Sequence, residues 1–373
     1  MAAAPSLSPK KLIQTGWDTP DTAQFRRDLP AMEQWPFDGV VVSAQGRARD
    51  GTVFDAKPAF STNRWERPAF SGALADLQAA HSTRLTDNFL ILLANPGNVD
   101  WFDDAGWQEI VAHWRLLAWL AHEGRLKGLL FDPEPYTDPF KQFQYAAQPQ
   151  RAQHSFADYE QKARERGREV MRAVTAEFPD AVVYSYFLFG ECARALRAGG
   201  DPQARLASET YGLLPAFADG WLDVLPPSVT LIDGNERAYR YNSEAAFNAA
   251  FVQLKSDCQA FVSPENRAKF RAQLQVSHGI YLDAYVNPPG SSWFIDGLGG
   301  SRVNRLEANV AAAFHAADEY VWIYGEKARW WPPRQAGPKT PPTWPEVLPG
   351  AESALKNAKD SWGAAPRRPV GSR

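Results

Sequence analysis

The chain has 373 residues, 45% of them hydrophobic, and a formal net charge of −3. That near-neutral balance removes the electrostatic case for nucleic acid or an acidic membrane surface as a partner. No apolar run reaches the roughly 18 residues of a membrane span; no signal peptide is present, yet Met1-Ala2-Ala3-Ala4-Pro5-Ser6 reads like the mature side of a removed export signal, so an exported protein, periplasmic or extracellular, is expected.

Apolar runs of strand length begin near Leu12 (LIQTGW), Gly39 (GVVVSA), Asn88 (NFLILLAN), Gly128 (GLLFDPE), Ala181 (AVVYSYFLF), Val229 (VTLIDGN), His278 (HGIYLDAYV) and Tyr320 (YVWIYGE). Helix-like segments run from Thr22 to Gln34, Ser71 to His81, Asp104 to His122, Phe156 to Phe178, Ser243 to Phe261 and Val303 to Ala317, with a last one from Glu352 to Trp362. Strand alternating with helix, without a polar linker, predicts an α/β fold: a single (β/α)8 TIM barrel over residues 11–365 with enlarged βα loops. Residues 1–10 and 366–373 are expected to be disordered. A doubly wound sheet would place a glycine-rich phosphate turn after its first strand, and Gly16-Trp17-Asp18-Thr19-Pro20 is not one. Among the loops, a hairpin is expected to turn at Asp50-Gly51. The aromatic stretch from Thr137 to Phe156, with Phe140, Phe143 and Tyr145, is expected to wall the site.

Barrel chemistry sits at the C-terminal ends of the strands, so the eight tips form one list of candidate groups. The sharpest is on strand four, Gly128-Leu129-Leu130-Phe131-Asp132-Pro133-Glu134-Pro135-Tyr136. Side chains alternate along a strand, so Asp132 and Glu134 project to the side of Leu130. Two acids this close cannot both ionise cheaply, which leaves one carboxyl able to donate a proton near neutrality. The other tips offer Trp17 and Asp18, Gln45, Asn95, Tyr136, Tyr186, Glu236 and Arg237, Tyr281 and Asp283, then Tyr324, Glu326, Trp330 and Trp331. Acids and amides bond hydroxyls while flat rings cover the apolar faces of sugars, so the lining suits a neutral polyhydroxylated ligand.

Metal chemistry on this fold needs several histidines at strand ends. Of six His, His278 alone lies near a strand, at its start. No metal or cofactor is expected. The glycine-rich run Gly297 to Arg302 can be read as an anion cradle or, more simply, as a loop with a helix cap. Cys192 and Cys258 are read as buried free thiols or as a disulfide.

The strand order and the acid pair on strand four resemble the glycoside hydrolases of the (β/α)8 superfamily, with no single family indicated. In that superfamily's large retaining clan the acid/base glutamate follows Asn and precedes Pro. Glu134 precedes Pro135 but follows Pro133. The chitinase-like group ends strand four in Asp, one residue, then a catalytic Glu, similar to Asp132 and Glu134, but its upstream aspartate is Leu130 here. Glu134-Pro135-Tyr136 is similar to a strand end in families that act inside mannan-type chains. The resemblance implies cleavage of O-glycosidic bonds in a poly- or oligosaccharide by two carboxyls. Glu134 is assigned as general acid with Asp132 beside it, and Glu326 ranks first as opposing carboxylate, ahead of Glu236 and Asp283. The alternatives are a carbohydrate-binding barrel without catalysis and a barrel enzyme with a carboxylate-held metal or a phosphate site.

Overall fold

The computed structural model describes residues 10–97, 99–136, 141–197, 199–334 and 337–364. Of the ends expected to be disordered, 1–9 and 366–373 lie outside the described residues, as do residues 137–140 of the expected wall; Lys10, expected in the disordered end, is instead buried with its ammonium donating to the Ala317 carbonyl at 2.7 Å. Eight strands form the barrel: β1 (Lys11–Gly16), β2 (Gly39–Val42), β3 (Phe89–Pro96), β4 (Gly128–Asp132), β5 (Val182–Ser185), β6 (Thr230–Asp233), β7 in two pieces (Leu274–Val276 and His278–Tyr281) and β8 (Tyr320–Gly325). Each pairs in parallel with the next from β1 to β6, and β8 pairs with β1. The two pieces of β7 divide at Ser277, the first pairing with β6 and the second with β8. One segment therefore holds both neighbours, which closes the ring as the strand pattern predicted.

The interior is filled in aromatic layers, as a barrel with inward-pointing side chains in register requires. Alternate residues of β8 supply three of them. Tyr320 packs with Phe89 and Tyr184 at the base. Trp322 stacks on Tyr186 at 4.5 Å in the middle, and Tyr324 meets Tyr239 and Tyr281 at the mouth. In the same register Leu130 neighbours Tyr184 and Asp132 neighbours Leu93, so β4 aims its acids up the axis towards the mouth.

Helices α1 (Thr22–Met32), α2 (Ser71–Ala79), α3 (Asp104–Glu123), α4 (Phe156–Glu177), α5 (Leu214–Val224), α6 (Glu244–Lys255), α7 (Arg302–Ala316) and α8 (Ala351–Ala364) surround the strands. Helix α5 is absent from the expected elements because its sequence, LPAFADGWLDV, is short and mostly apolar and holds a Pro and a Gly, which leaves Asp219 and Asp223 alone to mark a polar side. Those features fit its place. A Cβ on Gly220 would lie 2.1 Å from the Arg164 carbonyl oxygen of α4, and one on Gly167 of α4 would lie 2.1 Å from that of Phe217, so the two glycines permit the crossing.

The hairpin forms as expected, Gln45–Arg47 against Val53–Asp55, with Gly51 at φ +89°. The expected wall does not. Phe143 is buried against Phe60, Trp101, Phe131 and Phe217 and belongs to the core, and no residue of the described part of that segment lines the cleft described below. Ser301 caps α7 through the Asn304 N–H at 3.1 Å, which gives the glycine-rich run its simpler role. Cys192 and Cys258 are both free and buried. Among the described residues no helix is long and apolar enough to cross a membrane.

Candidate active site

A cleft of about 860 Å³ opens at the C-terminal mouth of the barrel, and Asp132, Glu134, Glu236 and Glu326 all line it. Strand four supplies the first two through a stiff turn. The Asp132 carboxylate accepts the Glu134 N–H at 2.9 Å, while Asn95 at the end of β3 donates to the Glu134 carbonyl at 2.8 Å and accepts the Tyr136 N–H at 2.9 Å. The prolines on either side of Glu134 remove two further degrees of freedom. Tyr136 then folds back, and its hydroxyl lies 2.8 Å from Asp132 Oδ2 and 2.6 Å from Glu134 Oε2. A phenol has one proton and can donate to one of these oxygens, so the second close contact needs a proton on a carboxyl. Consistently, burial and then the Glu134 charge push Asp132 up to about 7.

Glu236 reaches the cleft from a strained turn. Asn235 is held at φ +44°, a conformation few side chains adopt, by its amide donating to His278 Nδ1 at 2.9 Å and its N–H donating to Asp233 at 3.0 Å. His278 Nε2 lies 3.1 Å from the Ala316 carbonyl, which places the ring proton on Nε2 and leaves Nδ1 as acceptor. Burial lowers that imidazole to about 4 and keeps it neutral. The histidine that no metal reading used thus orients the turn before Glu236. Burial, then the Glu134 and Asp132 carboxylates, pushes Glu236 well above the ordinary glutamate range.

Glu326 follows β8, where Asp283 accepts its N–H at 3.0 Å and that of Lys327 at 3.2 Å. Burial and the Asp283 charge push Glu326 upward, against hydroxyl contacts from Tyr281 and Tyr324. Among the described residues neither glutamate forms a surface ion pair with the arginines near it in sequence, Arg237 and Arg240 for Glu236 and Arg329 for Glu326. Arg237 pairs with Glu191 at 3.3 Å, and Arg329 donates to the carbonyls of Trp331 and Pro341.

The expected ligand-binding residues divide. Trp17, Asp18, Tyr136, Tyr186, Tyr281, Tyr324 and Trp331 line the cleft. Trp17 is 73% exposed, an open ring face at its edge. Asp18 accepts the Trp330 N–H at 2.9 Å and the Gln14 amide at 2.7 Å, so it ties the β1 loop to the β8 loop. Five positions need correction. Gln45 is on the hairpin, Asn95 braces the strand-four turn, Asp283 holds the β8 turn and Arg237 is paired away; none lines the cleft. Trp330 is buried edge-on against Trp35 at 5.0 Å and Phe37 at 5.2 Å, so it belongs to the core beneath the terminal segment. Trp331 lines the cleft, yet it is 2% exposed and its indole N–H donates to the Asp18 carbonyl at 3.0 Å. The sequence reading missed Lys57, Tyr239, Trp293 and Arg334 on the lining. They lie beyond the strand tips, on loops whose course the strand pattern does not set. Among the described residues no three His, Cys, Asp or Glu side chains are grouped to hold a metal ion.

No family model and no curated protein matches the sequence. The fold is similar to solved glycoside hydrolase structures. One is a GH5_18 protein from Streptomyces cattleya in complex with Manβ1-4GlcNAc, at 14% identity over 97% of this chain and 83% of that one, with a TM-score of 0.50. Others are a β-mannanase from the blue mussel Mytilus edulis (13% identity, 92% of this chain and 91% of that one, TM-score 0.42) and a thermostable mutant of a xylanase from Cellvibrio japonicus (14%, 94% and 98%, TM-score 0.44). At these identities the likeness is one of fold.

Proposed function

We propose that the chain is a glycoside hydrolase that cleaves O-glycosidic bonds of an oligo- or polysaccharide by carboxyl acid/base catalysis. The observation that carries this is the convergence of four carboxyls from β4, β6 and β8 on one cleft beside the rings of Trp17, Tyr281, Trp293 and Tyr324. Such catalysis needs a protonated carboxyl at the leaving oxygen and a second, ionised one across the bond. Glu134 is the donor in this reading, with Asp132 and Tyr136 holding the proton beside it. Glu326 is the opposing carboxylate, because two tyrosine hydroxyls support its charged form. Glu236, held protonated by its burial and neighbours, bonds a substrate hydroxyl. That same burial favours one second reading, in which Glu236 gives the proton and Glu134 acts as the opposing carboxylate.

Incubation with a panel of polysaccharides and aryl glycosides, assayed for new reducing ends, tests the proposal. Product release by wild type and its loss in Glu134→Gln is the expected result. Saccharide binding without product would instead make the molecule a binding barrel, and neither binding nor product would remove carbohydrate from the account.

A further inference from the structure

The charged groups of the cleft are unevenly spread. Those at the tips of β4, β6 and β8 are acids, and none of Asp132, Glu134, Glu236 or Glu326 forms an ion pair among the described residues. The lining cations stand elsewhere. Lys57 precedes the short strand Pro58–Phe60, and its carbonyl accepts the Leu93 N–H at 2.7 Å, which sets it above the tip of β3. Arg334 lies over β1 and β2, its guanidinium donating to the Thr19 carbonyl, Ser43 Oγ and Gln24 Oε1, each at 3.3 Å. Arg329 adds a third cation, directed at carbonyl oxygens.

These cations have weak counterions. Lys57 pairs with Asp55 at 3.4 Å and Arg334 with Asp21 at 3.3 Å; both are solvent-facing ion pairs of small energetic worth, and neither acid lines the cleft. Asp18, the acid that the β1 loop adds to the lining, is half-buried and already accepts the Trp330 N–H and the Gln14 amide. On the β1–β3 side the lining charges are therefore Lys57, Arg334 and the already engaged Asp18, while Asp132, Glu134, Glu236 and Glu326 line the cleft from β4, β6 and β8 without an ion-pair partner among the described residues. A neutral sugar offers these cations only uncharged hydroxyl acceptors, whereas an anionic substituent offers charge-assisted hydrogen bonds, which are the stronger.

We propose that the β1–β3 arc, through Arg334 and Lys57, is an anion subsite, and that the glycan cut at the acidic arc carries a carboxylate or sulfate on the sugar seated there. The inference rests on the hydrolase reading and extends it to an acidic glycan. Lys57 and Arg334 are positioning residues for that sugar and act some distance from the bond that breaks.

The test compares uronate-bearing and sulfated polysaccharides with their carboxyl-reduced or desulfated counterparts, by reducing-end release and, separately, by retardation of the protein in gels that contain each polymer. We expect cleavage and retardation to favour one acidic polymer over its neutral counterpart, and which kind does so separates uronate from sulfate. In Arg334→Gln and in Lys57→Gln the acidic-to-neutral ratio of kcat/KM should fall about tenfold, the scale of one lost charge-assisted hydrogen bond. Added salt should lower the same ratio in wild type. Cleavage of neutral and acidic forms alike, with ratios unmoved in both variants, would overturn the subsite and leave the hydrolase reading standing. Retardation by an acidic polymer without any product would uphold the subsite and overturn the hydrolase. Neither retardation nor product would overturn both.

Discussion

At the residue scale the strand-four turn decides the chemistry, since two carboxyls and a phenol share fewer protons than their contacts require. We predict that Glu134→Gln, which keeps size and hydrogen bonding but has no transferable proton, loses turnover of natural glycans by at least about a hundredfold. Aryl glycosides with good leaving groups need little protonation, so they should suffer far less. Equal losses on both would move Glu134 to the opposing role and Glu236 to the acid. Two neighbouring changes carry opposite signs. The Tyr136 hydroxyl bonds and so favours the ionised forms; Tyr136→Phe should raise the pKa of the proton-holding pair and carry the alkaline limb of the pH–kcat/KM profile to higher pH. Asp132→Asn removes the adjacent negative charge, so it should carry that limb to lower pH. Limbs that move together, or not at all, would show that the pair is not what the profile reports.

At the element scale the site depends on a crossing well away from it. Gly167 and Gly220 let α4 and α5 approach until backbone meets backbone, and a methyl group on either side would sit on a carbonyl oxygen. Gly220→Ala should therefore cost about 2–4 kcal/mol of stability, visible in the urea midpoint, because neither helix can move without unpacking Trp221 and Phe217. Specific activity of the folded fraction should stay at the wild-type level; a stability within 0.5 kcal/mol of wild type, roughly the scatter of a neutral surface change, would show that the crossing yields. This region also marks where the sequence was legible and where it was not. All eight strands were readable, except for the first piece of β7, Leu274–Val276, because a buried parallel strand is a short apolar run with few rivals. Helix α5 was missed because it is short and mostly apolar, with a Pro and a Gly in its sequence and a polar side of only Asp219 and Asp223. The acids were legible at β4, β6 and β8 because strand tips project to one place whatever the loops do. Trp330 was not, because its neighbours Trp35, Phe37 and Trp344 arrive from two other segments. Lys57 and Arg334 were missed on similar grounds: their place in the cleft is fixed by the short strand after the hairpin and by the terminal passage.

At the scale of the whole molecule, a mouth crowded with buried acids makes stability depend on pH in an unusual direction. Burial raises Asp18 and Asp132 to about 7, and Glu236, Glu326 and Asp283 also stand above their ordinary values. A carboxyl raised on folding binds its proton more tightly in the native state, so its contribution is complete below the unfolded value near 4 and is lost as pH climbs through about 7. Moving one such group from about 4 to about 7 amounts to on the order of 4 kcal/mol across that window. His278, lowered to about 4, works the other way between pH 4 and 6.5, but it is one group against several. Asp223, held at about 2 by its Arg164 and Arg168 partners against burial, acts below pH 4, and Lys10, lowered to about 8 by burial, acts above pH 8. The native state should therefore be more stable at pH 5 than at pH 7.5, and the urea midpoint should fall between them. Asp132→Asn replaces the raised acid with a group that cannot ionise, so its midpoint should fall less steeply. The variant should overtake wild type at pH 7.5 while matching it or falling below it at pH 5. Parallel curves for the two proteins would mean that Asp132 is already ionised at pH 5. That result would also remove the shared proton on which the assignment of Glu134 as donor depends, so the stability measurement tests the site without any substrate.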